Sequence, residues 1–205
     1  VTGAYNGIFA MNQGSGDLTI SANGIVRATS SNAIRSRQNG SGYALITATG
    51  ALYADSAVIN HVSNGTGNVS IELNADVYNS SSYTSIYAVS YSDGNIEVNS
   101  VGTISGGYGI GVYGGGFSGA QGGFVAITSS SEIDNDGIGI VAHSRGDDVT
   151  ITSNGNIVAG NIGIAARGYG ADSAVSITSS GDITTTSSDG TVWFGASYSG
   201  VNAYN

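Results

Sequence analysis

Apolar and polar residues alternate along this chain in short runs, with no sustained recurrence every three to four positions, and the runs themselves repeat. The clearest copy is VTITSNGNI, Val149 to Ile157. Val149 and Ile151 alternate with threonines, as in a strand with one buried face; a small polar step and Gly155 then turn the chain, and Ile157 faces inward again. The phrase returns as VSITSSGDI (Val175 to Ile183), and earlier copies are VAITSSSEI (Val125 to Ile133), IEVNSVGTI (Ile96 to Ile104), VSIELNADV (Val69 to Val77), ALITATGAL (Ala44 to Leu52) and LTISANGIV (Leu18 to Val26). Successive copies start 26, 25, 27, 29, 24 and 26 residues apart. A second phrase follows the first in most repeats: GIFAMNQGSG at Gly7, AIRSRQNGSG at Ala33, VINHVSNGTG at Val58, SIYAVSYSDG at Ser85, GIVAHSRG at Gly139 and GIAARGYG at Gly163. The period suits three strands per coil with loops of variable length.

Stacking the copies produces columns. Ile20, Ile46, Ile71, Val98, Ile127, Ile151 and Ile177 form one; Val26, Leu52, Val77, Ile104, Ile133, Ile157 and Ile183 a second; Ile8, Ile34, Ile59, Ile86, Ile140 and Ile164 a third. Parallel, in-register strands bury such columns of branched residues along a common axis. Between the first two runs, Gly24, Gly50, Ala75, Gly102, Ser131, Gly155 and Gly181 mark a corner that excludes a side chain or needs a positive φ. Ala10, Ser36, Ala88, Ala142, Ala166 and Ala196 form a further small-residue column, interrupted by His61. The expected fold is all-β: a right-handed parallel β-helix of about eight coils of roughly 26 residues, triangular in section with a dry interior, forming one domain over residues 1–205. A β-sandwich would also give short strands and frequent turns, but it would not repeat a whole phrase or stack its glycines.

Composition narrows the function. There are 34 Gly, no Pro and no Cys, and 5 Lys plus Arg, all arginine, against 14 Asp plus Glu, a formal charge of −9. Too few cations are present to neutralise a phosphate backbone, so nucleic acid is not an expected partner. With 40% hydrophobic and 9% charged residues the chain is too apolar for disorder, and its surface must be built from Ser, Thr, Asn and Gly. No apolar run approaches the ~20 residues of a membrane helix, so no membrane insertion of this segment is expected.

The phrases VTITSNGNI, VSITSSGDI, GIVAHSRG and GIAARGYG resemble the repeats of Gram-negative autotransporter passenger domains and related large β-helical surface proteins. That resemblance spans nearly the whole chain and implies an extracellular or cell-surface location. It implies a structural or adhesive role and names no ligand, because such repeats serve adhesins, enzymes and stalks alike. The chain opens and stops within coils, so the expected partners are flanking solenoid coils or head-to-tail copies of itself, with a host-surface receptor or glycan as a further partner.

Several stretches are candidates for chemistry. Residues 106–123, GGYGIGVYGGGFSGAQGG, stretch one coil and read either as a sticky loop presenting Tyr108, Tyr113 and Phe117 or as a surface insertion. Tyr83, Tyr87 and Tyr91 suggest a tyrosine-bearing face. Arg145-Gly146-Asp147 spells an integrin-recognition tripeptide in a loop between strands, or is a polar turn. Gly168 to Asp172 is similar to one copy of a calcium-binding nonapeptide repeat but lacks matching ligands on neighbouring coils, and Asp134 to Gly137 reads as a turn, so no cofactor or metal is assigned. Asn39, Asn64, Asn68 and Asn79 begin glycosylation sequons, as expected by chance in so Asn- and Ser-rich a chain.

The alternative function is a carbohydrate-processing β-helix such as a polysaccharide lyase or tailspike-like glycosidase, which needs converging carboxylates. Asp76, Glu132 and Asp182 share an outward column but sit on alternate coils, roughly 10 Å apart, beyond the ~5 to 9.5 Å span of glycosidase pairs. With His61 expected packed in the core and His143 expected exposed on another coil, no nucleophile, base and orienter assemble, and catalysis is not expected.

Overall fold

The computed structural model describes residues 1–115 and 122–186; Phe117 and Ala196 lie outside them. The described chain winds through three parallel sheets, visited in the same order on every coil. The first sheet holds the short strands Thr2–Gly3, Val26–Ala28, Leu52–Ala54, Val77–Asn79, Thr103–Ser105, Glu132–Asn135, Ile157–Ala159 and Ile183–Thr185. The second holds Ile8–Asn12, Ile34–Gln38, Ile59–Ser63, Thr84–Ser90, Tyr108–Gly114, Ile138–Ser144 and Ile162–Gly168. The third holds Leu18–Ala22, Ala44–Ala48, Val69–Asn74, Ile96–Val101, Val125–Ser129, Val149–Ser153 and Val175–Ser179. This is a parallel β-helix of about seven turns, against the eight expected, because the described strands end at Thr185.

The register follows the apolar columns. Ile20 pairs with Ile46, Ile46 with Ile71, and the series continues through Val98, Ile127 and Ile151 to Ile177. The first-sheet series runs from Val26 to Ile183 in the same way. Both series fill the interior, with Ile46, Leu52, Ile71, Ile151 and Ile157 fully buried. Each fully buried branched side chain contributes about 1.5–3 kcal/mol relative to an exposed one, so the stacked columns supply the main drive for winding.

One expectation about residues 106–123 is corrected. Their first half is not an insertion: Tyr108–Gly114 is a full second-sheet strand, with Ile110 and Val112 buried in the third column between Ile86 and Ile140, and Ala88 and Ala142. Its glycines and positive-φ entry at Gly106 and Gly107 disguised an ordinary core strand.

The interior is also less dry than expected, because buried polar residues close several of the strands. Gln38 donates through Nε2 to the carbonyls of Gly16 (3.0 Å) and Gly42 (2.9 Å), and the Ser63 hydroxyl donates to Gly65 O (3.2 Å). The Ser144 hydroxyl donates to Gly123 O (2.9 Å) and accepts the amides of Gly146 and Asp147. Where a strand ends, backbone groups lose their ladder partners, and a buried side chain must supply the missing bonds. Asn and Asp side chains do the same between coils: Asn68 Oδ1 accepts Asn95 N–H (3.0 Å), Asn95 Oδ1 accepts Phe124 N–H (3.1 Å) and Asp148 Oδ1 accepts Ala174 N–H (2.7 Å).

At the corner between the third and first sheets the two reasons for small residues separate. Gly102 has φ +119°, where a side chain is strained. Gly155 is excluded by contact instead, since a Cβ there would lie 2.1 Å from the Ser131 carbonyl oxygen.

Candidate functional site

Alternation on the second sheet sends Ile140, Ala142 and Ser144 inward and leaves Val141 and His143 outward. The outward position one residue before the strand end runs down the sheet as Met11, Arg37, Val62, Val89, Tyr113, His143 and Arg167. Beside it run Phe9, Arg35, Asn60, Tyr87, Gly111, Val141 and Ala165. Just past the strands, inter-coil amide bonds stack Tyr91 over Asn64, and Tyr169 after Arg145.

These columns build an aromatic ladder. Tyr87 and Tyr113 lie 5.6 Å apart between ring centroids, Tyr113 meets His143 edge-on at 5.3 Å, and His143 meets Tyr169 edge-on at 6.0 Å. The guanidinium groups of Arg167 and Arg145 lie 4.5 and 5.7 Å from the Tyr169 ring centre, a cation–π arrangement. Val89 faces outward yet is fully buried, and at the neighbouring Gly111 the space of a side chain is already taken, since a Cβ there would lie 2.9 Å from Thr84 Cγ2 and 3.4 Å from the Tyr113 ring.

Electrostatics set this face apart from the rest of the molecule. None of the seven described second-sheet strands contains Asp or Glu, whereas the third sheet carries Glu72 and Glu97 and the first carries Glu132 and Asp134. Four of the five arginines, Arg35, Arg37, Arg145 and Arg167, lie on this face or at its edge, and among the described residues none of them is ion-paired. Burial, then the neighbours Tyr91 and Tyr113, pushes the Tyr87 hydroxyl up to about 12, and burial raises Tyr113 as well. Burial, helped by Arg167 and Arg145, lowers the pKa of His143, so the imidazole stays neutral at pH 7. His143 is therefore half-buried between two tyrosines and not exposed as expected.

The structure thus brings Tyr87, Tyr91, Tyr113 and Arg145 together and adds His143, Arg167 and Tyr169. It separates Tyr83 and Tyr108, which sit at the opposite end of the second-sheet strands, roughly 10–26 Å from those tyrosines along the strand direction. Tyr108 lies over Gly137, where a Cβ would come 1.6 Å from its ring. Gly146 and Asp147 form a turn pinned by the Ser144 hydroxyl, with Asp147 Oδ1 accepting Asp148 N–H at 2.8 Å and Arg145 lying over Tyr169. Near Asp172 the Ser173 hydroxyl donates to Gly170 O (2.9 Å), closing a tight turn. Aligning GIGVYGG (Gly109 to Gly115) with GIVAHSRG and GIAARGYG would have revealed the ladder; reading it as an insertion hid the step between Tyr87 and His143.

A second surface feature is a groove of about 430 Å³ on the first sheet. Arg27 lies 4.1 Å above the Tyr53 ring, which stacks on Tyr78 at 4.7 Å, each one coil apart. The Asp76 carboxylate raises the Tyr78 hydroxyl pKa. Tyr53 is thereby covered on both faces, by Arg27 and by Tyr78. Glu132 pairs with Thr103, one strand beyond Asp76, which agrees with the two-coil separation expected for the outward carboxylates.

Fold and site together define an acidic β-solenoid with one aromatic, arginine-bearing face. No known protein family, no curated protein and no solved structure matches the chain.

Proposed function

We propose that this chain is an extracellular structural and adhesive segment of a surface β-helix, a stiff rod whose second-sheet face makes the contact. The carrying observation is the segregation of residues: on a molecule of charge −9, the described second-sheet strands contain no carboxylate, and their outer face and edge collect Tyr87, Tyr113, His143 and four arginines that have no ion pair among the described residues. Core packing does not require this arrangement, because these side chains point away from the core. Aromatic and arginine side chains are the types that dominate contact energy at recognition surfaces. The repeat phrases resemble those of autotransporter passenger domains, and that resemblance supports a bacterial-surface location with flanking coils or further copies as neighbours along the axis.

The test is adhesion. Beads carrying the chain are applied to surfaces coated with host matrix proteins and with a panel of glycans, beside beads carrying Tyr87→Ser/Tyr113→Ser. The expected result is retention by the parent chain, loss of at least tenfold in the variant, and no new reducing ends or unsaturated products in the supernatant. Product formation would instead favour the carbohydrate-processing alternative, and equal retention of parent and variant would remove this face from the function.

A further inference from the structure

We infer that the second-sheet face binds a linear, carboxylate-bearing polysaccharide laid along the solenoid axis; this rests on the reading of that face as the contact surface. Three observations converge on this occupant.

The first is charge. Arg35 and Arg37 stand side by side near one end of the face and Arg145 and Arg167 near the other, all without ion pairs among the described residues. From the coil of Arg37 the column passes Val62, Val89 and Tyr113 to reach His143, four coil steps, or about 19 Å at roughly 4.8 Å per strand. The ligand must therefore be anionic at more than one point and extended. Asp93 and Asp147 follow Tyr91 and Arg145 just past the strand ends, so carboxylates bound the face on the edge toward the third sheet.

The second is the surface between the arginine pairs. Tyr87, Tyr91 and Tyr113 lie there, and pyranose rings present apolar C–H faces that pack on aromatic rings while their hydroxyls remain in water. A compact inorganic anion would have no use for this stretch. A flexible acidic peptide would use the charges but would not match ring to ring.

The third is period. Over the four coils from Tyr87 through Tyr113 and His143 to Arg167 each coil offers one aromatic or cationic side chain, about 4.8 Å from the next coil, and a sugar residue in an extended chain advances by a similar length. Successive sugars along those four coils then each meet one such side chain.

The experiment is calorimetric titration of the whole chain with galacturonate and mannuronate hexamers, their carboxyl-reduced neutral counterparts, trimers, and polyglutamate. At least one acidic hexamer is expected to bind, with its trimer at least tenfold weaker because it cannot reach both arginine pairs. Affinity should fall at least tenfold in Arg145→Ser/Arg167→Ser and also in Arg35→Ser/Arg37→Ser, an independent pair of exposed positions that keeps the test valid should the first variant fold poorly. Raising the salt should weaken binding through counterion release. Failure of both acidic hexamers, equal binding of the neutral counterparts, indifference to both arginine variants, or equally tight polyglutamate would each overturn the inference. If acidic hexamers fail while bead adhesion still depends on Tyr87 and Tyr113, the ligand class falls and the contact face stands; if adhesion is indifferent to them, both fall.

Discussion

His61 occupies a position where its neighbours on adjacent coils are Ser36 and Ala88, and the larger imidazole is fully buried there. Its Nδ1 lies 2.8 Å from the Ser36 hydroxyl and its Nε2 has no partner. Burial lowers its pKa from 6.5 to about 4, so the folded chain holds it neutral. In the unfolded chain the ring takes up a proton below 6.5, which favours unfolding. Its contribution therefore falls as pH drops from about 6.5 toward 4 and flattens below 4, a total loss of about 3 kcal/mol at roughly 1.4 kcal/mol per pH unit. The difference between denaturation curves of the parent and His61→Leu, measured across that window, should show this slope. The half-buried His143 acts in the same direction but is common to both chains and cancels. A pH-independent difference would mean the ring is hydrated.

At the scale of the strand and its corners, the Asn and Asp side chains bridging successive coils account for much of the polar composition. Asn95 ties two coils at once: its amide is accepted by Asn68, and its own Oδ1 accepts the amide of Phe124. Replacing Asn95 by Ala should cost about 1 kcal/mol or more by leaving the Phe124 N–H unpaired, whereas Asn99→Ala on the exposed face of the same third-sheet strand should stay within about 0.5 kcal/mol. Urea denaturation midpoints of the two variants would check the order, and equal shifts would show that water replaces the lost acceptor. The second-sheet strands show how a ladder arises at this scale. The outward position that holds Arg37, Val62 and Val89 in early coils holds Tyr113, His143 and Arg167 in later ones, so the face changes chemistry along the axis while the inward columns stay apolar.

The whole molecule carries its charge in an unusual way. Its 14 carboxylates outnumber 5 arginines, and among the described residues no ion pair links the two. Surface electrostatics are then mainly self-repulsion, which salt screens. Raising sodium chloride from about 20 to about 200 mM should raise the thermal midpoint by a few degrees, read by circular dichroism at 218 nm, roughly the usual β-sheet band. A fall would show that attraction across the arginine-bearing face outweighs the repulsion elsewhere.

Winding, register and the identity of the inward columns were legible in the sequence because a period near 26 residues forces every copy of a phrase onto the same wall, and alternation within the phrase separates core from solvent. Ile151, Ile127 and Val98 could be placed on one line by that rule alone. The rule weakens where side chains vanish: the strand at Tyr108–Gly114 is rich in glycine, its apolar signature is thin, and it passed for an insertion until its pairing with Thr84–Ser90 and Ile138–Ser144 was seen. Outward residues carry no period that selection on the core would impose. That Tyr87, Tyr113, His143 and Tyr169 meet, and that Arg145 turns onto Tyr169 instead of standing free beside Asp147, depended on contacts between residues 24 to 30 positions apart, which only the stacked coils create.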